Sequence, residues 1–413
     1  MKLLIYEHVS AGGFDDKFIS PSVLSEGFGM LRTSVADAKS AGHTVTTIVH
    51  ERIAEFNPLP EADKTIPVHS LSDAENILHG VAENCDATYI IAPENERKLQ
   101  RLVKGMEQNH VLPLNSTANA IEQASNKARL QQHANRRGLI TPKTVTFNRR
   151  DNPEDVAEII SEKIGFPAVF KPIESAGCEA TSVVNGEEEV AAAITKLSYR
   201  GNMPFMVQQL IHGTAVSVTL ISNGSEAQPI ALNEQDIILR GPEEESSYNG
   251  GITPLNHASK TVAFDAAKEL VESIRGLHGY IGVDLVLTRD EPVVIEVNPR
   301  LTTSYVGIRK TLTLNLMQAT IDSILNRKVV AKQKSLGYAR FGKVKTRKPT
   351  NAALAQTFTM PEVVSPPFPI ASKGATYAFL CAQGATLEQA KQNFSKAKKH
   401  LQNTLRNGGN HKR

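Results

Sequence analysis

Four short apolar runs alternate with helical patterns in the first 120 residues of the chain. The runs, each of which predicts a strand, are Lys2–Tyr6, Thr44–His50, Ala87–Ala92 and Val111–Leu114. A helical pattern over Val23–Ser40 ends at a glycine stop signal. Strands that alternate with helices predict a parallel, doubly wound α/β sheet. No GxGxxG motif follows the first strand, so the pattern does not support a dinucleotide site.

Beyond residue 118 the pattern becomes a mixture of helices and hairpins, which predicts a separate α+β unit. The predicted helices are Ala118–Gly138, Pro153–Ile164, Glu187–Leu197 and Lys260–Leu277. The predicted strands are Val145–Phe147, Ala168–Phe170, Phe205–Gln209, Ser217–Ser222, Pro229–Leu232, Tyr280–Leu287 and Val293–Val297. The stretch Val330–Thr350 is basic and poor in structure signals, and a strand (Thr376–Cys381) and a helix (Leu387–Leu405) follow it. We expect Asn407–Arg413 to be disordered.

Composition narrows the classes of protein that fit this pattern. A length of 413 residues predicts several packed units, and 22% charged with 40% hydrophobic residues is typical of a globular protein. A net charge of only +3 gives no basic field for nucleic acid, although positive charge gathers towards the C-terminus. Three scattered cysteines without a CxxC pair argue against a disulfide framework or a zinc site. With no apolar run long enough to span a membrane, we expect a cytoplasmic protein that acts on small molecules.

The most informative stretch is "GYIGVDLVLTRDEPVVIEVNPRLTTS", residues 279–304. Its two apolar strands flank a polar turn, and symmetric pairing about Asp290 places Asp284 opposite Glu296. Because side chains alternate along a strand, Asn298 shares the face of Glu296. The neighbouring positions are expected to point into a core: Val283, Leu285, Ile295 and Val297.

Two carboxylates side by side repel each other, and a bound cation relieves that repulsion. Carboxylate and amide oxygens that leave room for phosphate suit magnesium on a nucleotide. Arg300, which follows Asn298-Pro299, can stabilise charge on a transferring phosphoryl group. The alternative is that these are ordinary polar residues on a solvated sheet face.

This hairpin resembles the metal-binding signature of the ATP-grasp superfamily. The resemblance implies ATP and two Mg²⁺ or Mn²⁺ ions, held by Asp284, Glu296 and Asn298, with Arg300 assisting acyl-phosphate chemistry. It also implies a Rossmann-like pre-ATP-grasp domain and an ATP-grasp fold of two α+β lobes, followed by a small C-terminal strand–helix element. The expected bounds are 1–120 for the first domain, 121–330 for the ATP-grasp domain (121–206 lid lobe, 207–330 metal-binding lobe), 331–406 for the C-terminal extension and 407–413 for a disordered tail.

Further stretches resemble the nucleotide-binding elements of the same superfamily, in the same order. In "SNKARLQQHANRRGLITPKT" (125–144), Lys127 would contact ATP phosphate, and in "GFPAVFKPIESAGCEATSVV" (165–184), Lys171 would contact ATP and take part in catalysis. "FMVQQLIHGTAVSVTL" (205–220) resembles the adenine-binding linker, with a side-chain contact from Gln208 and backbone contacts from Gln209, Leu210 and Ile211. Ala215 departs from the pattern, which usually has an acid there to contact ribose.

One cysteine in the lid segment Ser175–Glu179 could be interpreted in two ways. Cys178 could be a nucleophile, or it could be a small side chain in a phosphate-covering loop. The sequence shows no evident histidine partner for it, so we favour the second interpretation.

Two remaining motifs suggest substrates. "LLIYEHVSAGGF" (3–14) and "YNGGITPLNH" (248–257) resemble an ATP-grasp subfamily that joins the γ-carboxylate of glutamate to the amine of tyramine in methanofuran biosynthesis. Tyr248–Gly251 would be a flexible lining of the acceptor pocket, and Glu7 and His8 end a strand where doubly wound sheets bind ligands. The alternative for both motifs is a structural turn.

The predicted function is therefore a carboxylate–amine ligase with small-molecule carboxylate and amine substrates. The alternatives are a small-molecule kinase or carboxylase on the same scaffold and a non-catalytic ATP-binding protein. The sequence leaves open the choice between magnesium and manganese, whether the protein is a monomer or a homodimer, and the role of the basic C-terminal segment.

Overall fold

The computed structural model describes residues 1–15, 21–175, 177–198, 203–328, 333–370 and 375–407. The chain begins with a parallel four-stranded sheet of order β3-β2-β1-β4, as the alternating pattern predicts. Its elements are β1 (Lys2–Glu7), α1 (Pro21–Ser40), β2 (Thr44–His50), α2 (Glu51–Ala54), β3 (Lys64–Val68), α3 (Leu71–Ala82), β4 (Ala87–Ile91) and α4 (Lys98–Gln108). Buried residues of β1 pack against α1 on one face and against α3 and α4 on the other.

Two features of this first sheet differ from the prediction. The strand predicted at Val111–Leu114 is reduced to one isolated bridge, between Thr88 and Pro113, because proline has no N–H with which to continue a ladder. The edge strand β3 was missed because only Val68 of its five residues is buried, which leaves no apolar run to recognise.

A helical pair and a small antiparallel sheet follow. The predicted helix Ala118–Gly138 is two helices, α5 (Ala118–Ser125) and α6 (Lys127–Arg136), because Asn126 leaves helical geometry and caps α6 by accepting the Arg129 N–H at 3.0 Å. The small sheet has the order β5-β8-β6-β7. Its elements are β5 (Thr144–Phe147), α7 (Pro153–Lys163), β6 (Ala168–Pro172), β7 (Ser182–Val184), α8 (Val190–Ser198) and β8 (Phe205–Gln209).

The remaining strands form one eight-stranded antiparallel sheet of order β13-β12-β9-β10-β11-β14-β16-β15. Its elements are β9 (Thr214–Asn223), β10 (Ala227–Ile238), β11 (Ser247–Thr253), α9 (Lys260–Ser273), β12 (His278–Leu287), β13 (Pro292–Asn298), α10 (Ser304–Thr311), α11 (Leu316–Leu325), β14 (Tyr338–Thr346), α12 (Asn351–Thr357), β15 (Val363–Ser365), β16 (Thr376–Gly384) and α13 (Leu387–Asn407). The sheet therefore runs without interruption from the metal-binding lobe into the segment expected to be a C-terminal extension.

The structure corrects two expectations in this sheet. The stretch Val330–Thr350, which seemed poor in structure, contains β14, in which both faces are largely buried and the basic residues Arg340, Lys343 and Lys345 interrupt the apolar run. The segment Tyr248–Gly251 is not a flexible turn but part of β11, which pairs with β10 and β14. Gly250 is required there because a Cβ would overlap the Phe341 carbonyl of β14.

Two further expectations concern the C-terminal region of the chain and the crossing of a membrane. The predicted disordered tail, apart from Asn407, and residues 329–332 of the basic stretch lie outside the described residues. Across the described ranges, no helix combines the length and the apolar character needed to cross a membrane.

Candidate active site

The hairpin β12–β13 places its two acids as the alternation predicted. Asp284 pairs directly with Glu296, and Gly282 pairs with Asn298, so both carboxylates and the amide share one face. A bulge then shifts the register, so that Leu285 pairs with Val294. The expectation that Ile295 points into the core is therefore wrong: Val294 is buried in its place and Ile295 is only half-buried.

Two amide side chains hold the Asp284 carboxylate. Gln235 Nε2 on β10 donates to Asp284 Oδ1 at 3.1 Å, and Asn298 Nδ2 donates to Oδ2 at 3.1 Å. Burial raises the pKa of Asp284 well above its usual range, and the facing Glu296 carboxylate raises it further. Without a cation, this carboxyl group is therefore protonated more readily than an exposed aspartate.

Glu296 lies in the opposite electrostatic environment. Its Oε2 is 3.4 Å from Lys127 Nζ, and although burial acts to raise its pKa, the cations Lys127 and Lys171 hold the pKa of this carboxyl below its ordinary value. Lys127 Nζ also donates to the Ser175 carbonyl at 2.6 Å, at the start of the predicted lid. Burial lowers the pKa of Lys171 to about 8, against the opposing effect of Glu296.

These residues fit a divalent cation. Two carboxylates and an amide provide hard oxygen ligands, and a bound cation would offset both the burial and the Glu296 charge that raise the pKa of Asp284. The site has only two carboxylates, and across the described residues no group of three or more histidine, cysteine and acidic side chains is placed to hold a metal.

Arg300 is anchored by the first domain. Its Nε and Nη2 donate to the two carboxylate oxygens of Glu94 at 2.9 and 3.0 Å, and Nη1 donates to the Leu301 carbonyl at 3.2 Å. Glu94 is only 4% exposed and lies just beyond the carboxyl end of β4. The bidentate pair fixes the plane of the guanidinium beside the two hairpin carboxylates, whose charges raise the pKa of Arg300 further.

A cavity of about 970 Å³ opens in front of this face. Its wall includes Asp284, Glu296, Asn298 and Arg300, together with residues of α1, the lid loop, β11, β14 and β16. The volume lies at the upper end of the range for small-molecule sites. The predicted metal ligands and Arg300 thus line a single space. Lys127 is joined to it by its 3.4 Å ion pair with Glu296, whereas Lys171 acts on Glu296 only through its charge.

Glu7 lines this cavity, whereas His8 is not among its lining residues. The Glu7 carboxylate accepts the N–H groups of Val9 and Ser10, at 3.0 and 2.7 Å, and the Ser10 hydroxyl. Burial nevertheless raises the pKa of Glu7 and lowers that of His8 to about 3. His8 is therefore a neutral core residue at physiological pH.

The predicted adenine contacts lie on or just after β8, away from the cavity wall. Gln208 Nε2 donates to Thr144 Oγ1 at 3.0 Å, the Gln209 N–H donates to the Lys143 carbonyl at 2.9 Å, and the Leu210 N–H reaches the Pro167 carbonyl at 3.4 Å. The adenine-reading roles of Gln208 and of the backbone through Ile211 stay predictions, with these donors already paired in the fold.

Cys178 lines the cavity as a thiol. Burial, together with the charge of Glu296, raises its pKa to about 12, so it lacks the thiolate that a nucleophile needs. All three cysteines are free, which agrees with the expectation of no disulfide framework.

Sequence reasoning missed several residues of this site. Glu94 could have been found, since it follows a buried strand at the edge where doubly wound sheets bind ligands. Gln235, Glu26 and Lys343 gave no signal, because long-range packing alone brings them to the cavity.

Comparison with known families agrees with this geometry. Residues 124–304 match the model of the ATP-grasp domain, and residues 43–121 match the model of the pre ATP-grasp 3 domain. The chain therefore has an ATP-grasp domain preceded by a pre-ATP-grasp domain.

Among its relatives is the tyramine–L-glutamate ligase of Methanocaldococcus jannaschii, which is 28% identical over 309 residues, 74% of this chain and 84% of that protein. The L-amino acid ligase of Bacillus licheniformis has the same fold, with a TM-score of 0.66 and 17% identity over 96% of this chain and 97% of its own. N5-carboxyaminoimidazole synthase of Aspergillus clavatus aligns with a TM-score of 0.70 and 15% identity, over 97% and 98% of the two chains.

Proposed function

We propose that this protein is an ATP-dependent carboxylate–amine ligase that joins glutamate to tyramine or a similar amine through an acyl phosphate. The observation that carries the proposal is the pairing of Asp284 with Glu296 on one face with Asn298, beside Lys127 and Arg300. The similarity to a tyramine–L-glutamate ligase over most of both chains supports this choice of acid and amine.

The charge of each site residue indicates its proposed role. Asp284, Glu296 and Asn298 would hold one or two Mg²⁺ or Mn²⁺ ions, which would neutralise the phosphate oxygens of ATP and orient the terminal phosphate. Lys127 and Lys171 would bind phosphate oxygens as point charges. Arg300, held in one plane by Glu94, would stabilise the charge that develops as the phosphoryl group moves.

Two steps follow. A substrate carboxylate oxygen attacks the terminal phosphorus of ATP, and ADP leaves with the electron pair of the broken P–O bond. The neutral amine nitrogen then attacks the acyl carbon, the C–O bond to phosphate breaks, and inorganic phosphate leaves. The nitrogen loses its proton to solvent, which completes the amide.

The test measures ADP release with glutamate and tyramine together and with each alone, with the amide identified by mass spectrometry. We expect release to require both substrates and Mg²⁺ or Mn²⁺. Hydroxylamine in place of tyramine should yield the hydroxamate, which reports the acyl phosphate.

Glu296→Ala should abolish turnover while the far-UV circular dichroism spectrum stays that of the wild type, and Asp290→Ala, in the exposed turn of the same hairpin, is the matched control. ADP release without an amine, together with a stable phosphorylated product, would identify a kinase. A fully active Glu296→Ala variant would refute the metal assignment.

A further inference from the structure

A charged pair lines the cavity and has no role in the proposed phosphate chemistry. Lys343 Nζ on β14 is 2.9 Å from Glu26 Oε1 on α1, and the two side chains are 12% and 17% exposed. Both residues line the same cavity as the hairpin carboxylates. The pair therefore faces the space in which a substrate would bind.

The surroundings of the pair are built from separate parts of the chain. Tyr248 of β11 also lines the cavity, and Lys343 Nζ lies 6.0 Å from the centre of its ring. The Tyr248 hydroxyl is 2.7 Å from Thr303 Oγ1, which fixes the ring beside the end of the metal hairpin. Lys343 is thus held between a carboxylate and an aromatic face at one place in the wall.

The pair and the hairpin carboxylates line the same cavity. The charges of Glu26 and Asp284 both raise the pKa of Tyr248, and Cys178 in the lid loop is influenced by Glu296 and Glu26 in one direction and by Lys343 in the other. Because all four residues line one cavity, a small molecule bound at Asp284 and Glu296 shares its space with the pair.

We infer that Glu26 and Lys343 recognise the zwitterion of an α-amino acid, with the Glu26 carboxylate binding its ammonium group and the Lys343 ammonium binding its α-carboxylate. The distal carboxylate of the same molecule then points to the hairpin and Arg300. This inference rests on the proposed function and assigns the two residues that select its acid substrate.

Charge complementarity supports this occupant over a simple acid or a simple amine. A partly buried pair that opens to bind a single charge leaves one of its own groups unpaired, which is unfavourable in such a site. A zwitterion provides a partner for both groups, so the exchange conserves the number of ion pairs. Tyr248 beside Lys343 then shields the new pairs from water.

The experiment compares glutamate with two analogues that each lack one of its groups, with tyramine as the amine and ADP release as the readout. 4-Aminobutyrate lacks the α-carboxylate, and glutarate lacks the α-ammonium group. The wild type should prefer glutamate over either by about 10- to 100-fold in kcat/KM, the range for a hydrogen bond to a charged group.

Lys343→Met should lower kcat/KM for glutamate by about 10- to 100-fold while leaving that for 4-aminobutyrate nearly unchanged. Glu26→Gln should do the same for glutamate while leaving glutarate nearly unchanged. Asp236→Asn is the matched control. It removes the 2.7 Å ion pair between Asp236 and Arg340, which is on β14 like Lys343, but neither Asp236 nor Arg340 lines the cavity. It should leave kcat/KM for all three acids nearly unchanged.

The pair could instead only fasten α1 to β14, and the charge-swapped variant Glu26→Lys/Lys343→Glu separates this role from recognition. The swap restores an ion pair, so a purely structural pair predicts recovered activity on all three acids. We expect stability to recover while the preference for glutamate stays lost. Equal losses on all three acids in the single variants, or full recovery in the swap, would overturn the inference.

Failure of the proposed function is distinguishable from failure of this inference. If glutamate supports no ADP release, the proposed reaction is refuted, and calorimetric titration of the same three compounds, which requires no turnover, decides the inference. Tighter binding of glutamate than of both analogues, lost selectively in the two variants, sustains it. Equal affinity for glutamate and the two analogues, or no binding of glutamate, overturns it.

Discussion

The two hairpin carboxylates should affect stability in opposite directions, although both serve the same proposed metal site. Asp284 and Glu296 are directly opposed across the strand pair. With their charges about 5 Å apart, the repulsion is about 3 kcal/mol at an effective dielectric constant of about 20 and about 1 kcal/mol in water. Asp284→Asn removes this repulsion and can donate to Glu296, so the metal-free variant should be more stable than the wild type by about 1–2 kcal/mol after one weakened hydrogen bond is allowed for.

The pH dependence gives the sign of each effect. The folded-state pKa of Asp284 is raised, so its destabilising contribution is absent below about pH 4 and grows as the pH rises. The advantage of Asp284→Asn should therefore be greatest near pH 7.5. The folded-state pKa of Glu296 is lowered, so its stabilising contribution is complete at neutral pH and is lost on acidification. Glu296→Gln should consequently be less stable than the wild type at pH 7.5.

The assay is thermal unfolding in EDTA at pH 4.5 and 7.5, where 1 kcal/mol corresponds to roughly 2–4 °C for a domain of this size. Adding Mg²⁺ with ATP should raise the Tm of the wild type more than that of either variant, because each variant replaces a charged carboxylate ligand by a neutral amide. Both should also lose ADP release. If metal-free Asp284→Asn melts at or below the wild-type temperature at pH 7.5, the reasoning from charge repulsion is refuted.

Three other residues give independent predictions. Because burial lowers the pKa of Lys171 to about 8, its cation is lost as the pH rises through that value; the KM for ATP should increase above pH 8 in the wild type and show no such increase in Lys171→Met. Cys178→Ala should keep kcat within about twofold, and iodoacetamide should label Cys178 slowly at pH 7.5, since its pKa is about 12; rapid labelling would contradict this. Glu94→Gln should lower kcat by about 10- to 100-fold with little change in the KM for ATP, because it weakens the bidentate pair that orients Arg300. An unchanged kcat would show that Arg300 does not need Glu94 to be oriented.

The metal end of the site could be predicted because its geometry is local. One polar turn fixes which residues of β12 and β13 face each other, and alternation then assigns each side chain to a face. The same logic failed at Ile295, because a bulge in a run of β-branched residues leaves no mark in the pattern. The error did not reach Asp284 and Glu296, since the bulge lies on the turn side of that pair.

The rest of the cavity wall could not be predicted, because it depends on contacts between distant parts of the chain. Arg300 is held by Glu94, 206 residues away, and Lys343 meets the start of α1 across more than 300. The Lys343 contact depends on the pairing of β14 with β11, and the basic residues of β14 conceal that it is a strand. On the inference that Glu26 and Lys343 recognise the acid, the hairpin can stay the same in enzymes that act on different acids while α1 and β14 differ. It follows that the acid used by a relative should be sought at the positions of Glu26 and Lys343 and not in the metal signature, where the shared phosphate chemistry leaves little room for difference.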